Sequence, residues 1–376
     1  MLSLLSHGTT VLLFIVVLAL LVLVHELGHF LTARLFGIDV EEFGFGFPPR
    51  VFGVKKGKTL YTLNWIPLGG FVKIKGEDDP NAKGPGTFAN KPAWQRAIVI
   101  GAGVFMNLVL ASLLFAIGLT IGMPQAVDSL PANARVRDPQ VQIVEVMKGT
   151  PAEQSGFLAG DTLASIDGKP FTQIKDVQAY VNSAEPPVRV EIHRGKEVFT
   201  REVTPTTDPT SGKRVMGVAL VEAATVSYPW YLAIGKGVMA TGFYLKEILL
   251  SFADLIKGLF VGQKAGVEFS GPVGIAVLTG RAARLGFTYL LQFAALLSIN
   301  LAVINVLPIP ALDGGRLVFI IIEKIRGRSV RPIVEAVIHR IAFFLLLALV
   351  VIVTAHDLAR YGNQILKALG SLIGVS

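Results

Sequence analysis

The chain has 376 residues, 52% of them hydrophobic, and a mean hydropathy of +0.58, which excludes an ordinary soluble protein. Its 35 basic and 27 acidic residues leave a net charge of +8, but they form no stripe interleaved with aromatics. Anionic membrane lipid is therefore the expected counterpart and nucleic acid is not. There is no cysteine, so disulfides are excluded and any metal must be held by His, Asp or Glu.

The first element is VLLFIVVLALLVLV, residues 11–24, running into HELGH at 25–29. A secretory signal would need a basic start and a small-residue cleavage site. Residues 1–10 carry no Lys or Arg and no A-x-A stop follows, so a retained spanning helix over about 8–32 is expected. Its first basic residue is Arg34, which places the N-terminus outside and Arg34 on the cytoplasmic side. Residues 35–96 read as a membrane-associated β region (about 44–75) with short strands at Arg50 to Val54, Thr59 to Trp65 and Phe71 to Ile74. A Lys-Gly-Lys turn and a Pro67-Leu68-Gly69-Gly70 corner separate them. A sheet dipping into the bilayer beside HELGH would bury their aromatic residues, provided protein covers its backbone.

A second span is expected at 97–122, followed by a soluble insert at 126–225 with strand alternation in VRVEIHR and EVFTREV across an Arg-Gly-Lys turn. Residues 229–262 have apolar residues at helical spacing but include Lys236, Lys246, Glu247, Asp254 and Lys257. Each such charge would cost about 3 kcal/mol in hydrocarbon, so an amphipathic helix at the interface is expected. Further spans are expected at 287–308 and 341–360. Four crossings put 323–340, with five Lys or Arg, on the same side as 35–96, consistent with a cytoplasmic face. The expected fold is thus a polytopic α-helical membrane protein of about four spanning helices, with a membrane-associated β region and an inserted α+β domain. Its parts are 1–125, the insert 126–225, an interfacial segment 226–265 and 266–376.

The chemistry is concentrated in HELGH. On a helix His25 and His29 share a face, so both can direct a ring nitrogen at one ion, with Glu26 beside it. A bare HExxH also occurs by chance in soluble helices. Here it lies in a spanning segment, where ionisable groups are expensive and functional by default. Zinc lowers the pKa of water towards about 7 and a Glu can take the proton as water attacks a carbonyl, which is peptide hydrolysis.

Catalytic zinc takes three protein ligands and keeps one open position. The expected third is Asp313 in INVLPIPALDGGRL (304–317), at the inner end of the third span and thus at the depth of the histidines. Asp-Gly-Gly before an apolar run is also a fair helix cap, and the two roles are compatible. Pro308 and Pro310 interrupt the helix and free backbone that could pair with an extended substrate. Asn305 is a plausible amide for gripping substrate or an oxyanion. Pro308 and Asn305, with Gly69 and Gly70 in the β region, are the expected substrate-binding residues.

The insert resembles a PDZ domain through Gly149 to Ala152, Gly156-Phe157-Leu158-Ala159-Gly160-Asp161 and the Asp167-Gly168 turn. HELGH, Asn305-Val306-Leu307-Pro308 and Leu312-Asp313-Gly314-Gly315, with that insert between them, resemble the site-2 protease family of intramembrane zinc metalloproteases. The likeness is to the bacterial branch that cleaves anti-sigma factors. It extends to Gly44-Phe45-Gly46 and Pro67 to Lys73, which resemble that branch's β region. It implies His25, His29 and Asp313 as zinc ligands, Glu26 as general base and Asn305 as a substrate contact. There are two departures. Several members carry tandem PDZ domains where this insert has room for one, and Ala102-Gly103-Val104 before Asn107 lacks the family's frequent Ala-Gly-Pro, and with it a kink.

His7 and His356 are expected at membrane edges, His193 in an insert strand and His339 in a basic loop. Trp65, Trp94 and Trp230 suit an interfacial belt. The functional expectation is cleavage of a single-pass membrane protein in or beside its transmembrane helix, in the bacterial inner membrane. The substrate would be an anti-sigma factor or similar regulator already trimmed by another protease. It would unwind and pair with a β edge near 59–75, while the extracytoplasmic PDZ domain filters or docks ectodomains or peptides. The alternative is a catalytically inactive membrane scaffold presenting a PDZ domain, against which the intact Glu26 argues. A conventional zincin on one anchor helix would need a third ligand soon after HELGH, and none follows.

Overall fold

A computed structural model describes residues 2–77, 84–126, 133–195, 197–208, 212–261, 270–328 and 330–373. In chain order the helices and strands begin with α1 (Leu2–Leu35), β1 (Val40–Lys56), β2 (Thr59–Ile74), α2 (Ala93–Ile121), β3 (Met123–Ala126) and β4 (Arg135–Val146). Then come α3 (Pro151–Gln154), β5 (Thr162–Ile166), β6 (Lys169–Pro170), α4 (Ile174–Ser183), β7 (Val188–Arg194) and β8 (Glu197–Val203). After β9 (Thr206–Thr207), β10 (Arg214–Val215) and β11 (Val218–Ser227), the chain ends in α5 (Trp230–Val261), α6 (Pro272–Leu285), α7 (Phe287–Val306), α8 (Asp313–Arg326) and α9 (Pro332–Ile373). These elements form two compact units: Met1–Leu114 with Gly237–Gly280 and Phe293–Ser376, and Phe115–Lys236 with Arg281–Gln292.

Among the described residues four helices are long and apolar enough to cross a membrane: Gly8–Leu35, Ala93–Ile121, Phe287–Val306 and Ile333–Gly362. Nothing in residues 8–35 breaks the helix, since the run has no proline and few residues that compete for backbone hydrogen bonds. In the first unit α1 crosses α2 at Gly28, where a Cβ would lie 2.4 Å from the Ala102 carbonyl oxygen. Only a glycine permits that approach. A core of Phe30, Ala33, Ile38, Val40, Ile74, Val99, Ile100 and Ile320 joins α1, both strands, α2 and α8.

The β region differs from the three short strands expected. Two long strands fold back on each other, and β1 starts at Val40, ahead of the expected region. Segment 50–56 pairs with 59–64, and 40–45 pairs with 70–74, both antiparallel. Between them the register Glu42↔Leu60 to Phe45↔Leu63 ascends in step, so 42–45 also serves 60–63 as a neighbour. The early start is hidden in sequence because Gly44 and Gly46 carry no side chain to alternate. A Cβ at Gly44 would meet the Phe71 ring at 2.4 Å, so the glycine makes room for an aromatic on the paired segment.

Helix α6 was not expected, and α8 was anticipated only as a helix start at Asp-Gly-Gly, not as a separate helix after the third span. Searching for apolar stretches finds spans, whereas α8 carries Asp313, Arg316, Glu323, Lys324 and Arg326 beside its apolar face. The basic loop expected at 323–340 is correspondingly short, because α9 starts at Pro332 and takes His339 and Arg340 into its first turns. Residues 262–265 of the expected interfacial segment lie outside the described residues, as does the side chain of His7.

The second unit is built on a sheet of order β3-β11-β4-β5-β7-β8, with β6 on β5. Alternation in β7 buries Val188, Val190 and Ile192 and exposes Arg189 and His193. These pack with Val141, Ile143, Leu163, Ile166, Val177 and Val181 into one core. The unit reaches beyond the expected 126–225, since β3 pairs with the end of β11 through Met123↔Val226 to Ala126↔Ala223. Residues 127–132 and 209–211, and Lys196 of the expected Arg-Gly-Lys turn, lie outside the described residues. Asp161 is fully buried and receives Arg194 on both oxygens at 2.6 and 2.8 Å, with the Leu158 N–H at 2.8 Å. The paired carboxylate holds the Arg194 guanidinium above its ordinary pKa. Arg194→Met should strand that carboxylate and destabilise the unit by about 3 kcal/mol, read as a lower denaturant midpoint in pulse proteolysis of the full chain.

Candidate metal centre

HELGH lies wholly inside α1, so the helical repeat of 3.6 residues places His25 and His29 one above the other. Both are buried, at 7% and 8% exposure. Their Nε2 atoms are 3.2 Å apart. Asp313 Oδ2 lies 3.1 Å from the first and 3.4 Å from the second. Among the described residues, His25, His29 and Asp313 are the grouping of at least three His, Cys, Asp or Glu that could hold a metal. Zinc bonded at about 2.0–2.1 Å sets tetrahedral corners about 3.3 Å apart. The three observed edges match that spacing. The donor set, two imidazoles and a carboxylate, also suits zinc with a fourth position open.

Groups behind the rings set which nitrogen faces the centre. His29 Nδ1 lies 2.8 Å from the Val99 carbonyl, which can only accept, so the proton sits on Nδ1 and Nε2 keeps its lone pair. His25 Nδ1 lies 3.3 Å from the side-chain amide of Asn107, whose Oδ1 is buried without a hydrogen-bond partner. Turning that amide over lets Oδ1 accept the Nδ1–H, which satisfies the orphan and frees Nε2 of His25. The Asn107 carbonyl in turn accepts from Ser298 Oγ on α7 at 2.8 Å. Gly103, one turn ahead of Asn107, leaves the space the rings occupy: a Cβ there would lie 2.3 Å from His29 Nε2. α2 runs as one continuous helix through this stretch.

Asp313 is not on the third spanning helix, as expected, but is the first residue of α8, after a turn that ends α7 at Val306. Leu312 holds the cap position, and no side chain caps the helix, so the Asp313 carboxylate is left for the histidines. The glycines after it are required by packing. A Cβ on Gly314 would be 2.1 Å from the Leu307 carbonyl oxygen, and one on Gly315 2.4 Å from that of Ile309. α8 is further tied by Glu323 to Arg96 of α2 at 2.5 Å and by an ion pair of Arg316 with Glu77.

Glu26 points to the β region, where Oε2 accepts the Val72 N–H of β2 at 3.1 Å. Gly70 lies against α1 beside it, with a Cβ position 3.9 Å from Glu26 Cγ, and Gly69 (φ +133) abuts Val22. Asn305 is half-buried in the last turn of α7 and Pro308 is exposed in the turn after it. Neither makes a hydrogen bond to His25, Glu26 or His29 among the described residues. Gly103, Asn107 and Val99 were not picked out as site residues from sequence. The signal available was their spacing, since all three fall on one stripe of α2, but nothing in that helix alone aims the stripe at HELGH.

The model of Peptidase family M50 matches residues 13–349. A Clostridium perfringens protein carrying a zinc metalloprotease name is 37% identical over 341 residues, covering 90% of this chain and 95% of its own. A similarly named protein of Rhizobium meliloti is 33% identical over 372 residues, 92% and 95% of the two chains. The regulator of sigma-W protease RasP of Bacillus subtilis is 30% identical over 436 residues, 93% and 98%. A solved PDZ domain of an SdrC-like protein from Listeria monocytogenes aligns with 23% of this chain and 93% of its own, at 24% identity and a TM-score of 0.21. The chain belongs to Peptidase family M50, the site-2 protease family of intramembrane zinc metalloproteases.

Proposed function

We propose that this metalloprotease cuts single-pass membrane proteins within or beside the transmembrane helix, with His25, His29 and Asp313 holding zinc and Glu26 as general base. The observation that carries the reading is the meeting of two Nε2 atoms and one carboxylate oxygen within 3.1–3.4 Å, beside Glu26. When bound, zinc supplies Lewis acidity, polarising a carbonyl and lowering the pKa of water to about 7. Glu26, steadied by the Val72 N–H, takes a proton from the attacking water and passes it to the leaving amine. Gly69 and Gly70 keep the strip of β2 beside Glu26 free of side chains. An unwound substrate segment pairing there would recover the hydrogen bonds its helix loses. Asn305 and Pro308, at the end of α7, are assigned to the other side of that path.

The substrate class is inferred from RasP, whose name describes a regulator of sigma-W. A regulator such as an anti-sigma factor, already trimmed outside the membrane, fits a site reached from within the bilayer. The inserted unit acts as an extracytoplasmic PDZ domain, docking peptides or excluding intact ectodomains. The bacterial inner membrane is the proposed location, with the metal centre towards the cytoplasm, because Arg34 and the basic residues after α8 then face inward. α5 lies along the membrane surface, its Lys246 and Glu247 towards water and lipid headgroups.

Three outcomes test this reading. Glu26→Gln should keep about one zinc per chain and lower cleavage of a trimmed, membrane-embedded substrate at least about 100-fold. Full activity in that variant removes the assigned base. Gly103→Ala should drive zinc content well below one per chain by elemental analysis. Gly101→Ala, whose Cβ would meet open space, should leave it near one. Removing residues 126–225 should let the enzyme cut untrimmed substrates, and an enzyme unable to cut even a short substrate would count against a filtering role.

A further inference from the structure

Two residues ahead of Asp313, Ala311 holds φ +76, a left-handed conformation that a side chain makes unfavourable. Its N–H is donated to Nδ1 of His339, 28 residues on, at 2.8 Å. His339 belongs to α9, and its ring also packs on Phe319 of α8, with centroids 5.3 Å apart. One imidazole therefore grips both the turn that delivers Asp313 and the helix that Asp313 begins. The turn's other backbone bonds run along the chain: Leu307 N–H to the Ile304 carbonyl of α7 at 3.1 Å, Ile309 N–H to that of Leu307 at 2.7 Å and Leu312 N–H to that of Ile309 at 3.2 Å, while the Leu312 carbonyl accepts the N–H groups of Gly315 and Arg316 of α8 at 3.1 and 3.3 Å. These join the turn to the two helices it connects, whereas the His339 bond ties it to α9. Acceptance at Nδ1 requires the neutral tautomer protonated at Nε2.

We infer that His339 is a positioning residue for the metal centre. By accepting the Ala311 N–H it holds the turn in the left-handed conformation that brings Asp313 Oδ2 to both imidazoles. The inference rests on the reading of Asp313 as a zinc ligand. It differs from a packing role because it needs an acceptor atom at the Nδ1 position, not ring volume. Asn places its side-chain oxygen close to where Nδ1 sits, Gln carries its amide one methylene farther, and Phe keeps the ring without an acceptor.

The test uses the purified full-length protein, with zinc affinity from chelator competition and the visible spectrum of the cobalt-substituted protein. His339→Phe and His339→Gln should each weaken zinc about 10- to 100-fold, the range for residues that orient a ligand, and alter the cobalt bands. His339→Asn should stay within a few-fold of wild type. Ala311→Gly, which relieves the strained φ, should restore much of the affinity lost in His339→Phe. Equal loss in Asn and Gln variants, wild-type affinity in the Phe variant, or no rescue by Ala311→Gly overturns the inference. The Asn and Gln pair decides the matter should the Phe variant not fold. Asp313→Ala separates the two readings. Unchanged affinity there removes the ligand assignment and this inference together. Weakened affinity there, with His339→Phe binding as wild type, removes this inference alone.

Discussion

Two imidazole nitrogens and one carboxylate oxygen face each other at 3.1–3.4 Å in the interior of an apolar helical unit, and much of the surrounding structure serves that approach. Lone pairs brought so close in a region poor in water repel unless a cation or proton lies between them, and burying them uncompensated is costly. Zinc held by these three groups, as proposed, would resolve the conflict and would reconcile this polar cluster with a run such as VLLFIVVLALLVLV in one helix. The same constraint accounts for the small residues nearby. Gly28 lets α2 come close to α1, Gly103 leaves room for the rings, and Gly314 and Gly315 let α8 begin against the carbonyls that end α7.

Behind the three donors lies a set of backbone and amide groups that gives each a defined orientation. Val99 and Asn107 on α2 hold the histidine tautomers, and Ser298 on α7 holds the Asn107 backbone. Val72 of β2 holds Glu26. The β region thus reaches Glu26 of HELGH directly, through one N–H, and its glycines leave the adjacent strip without side chains. In metal sites, outer contacts of this kind are typically worth about 10- to 100-fold in metal affinity.

The family assignment and the geometry answer different questions. Similarity over about nine-tenths of the chain to metalloprotease-named relatives establishes the class of enzyme. The geometry shows which groups surround His25, His29 and Asp313: Gly103 leaves room for the rings, Asn107 lies against His25, and His339 accepts the Ala311 N–H two residues ahead of Asp313.

The sequence by itself determined what depends on short-range periodicity. The i, i+4 spacing of His25 and His29 fixes a common face, continuous apolar runs mark the helices able to span, and alternation in VRVEIHR marks an inward face of a soluble sheet. Asp313 was legible as a carboxylate stranded after an apolar run beside two prolines and two glycines. The helix start at Asp-Gly-Gly was legible as well, but tertiary structure decided that Leu312 holds the cap position and leaves the Asp313 carboxylate uncommitted. It also decided that β1 begins at Val40, that the stripe Val99, Gly103 and Asn107 backs the histidines, and that His339 lies in a helix touching Ala311. These are contacts between residues 28 to 288 positions apart in the chain, and no local repeat encodes them. They arise because packing brings together helices whose individual sequences record only that they are apolar.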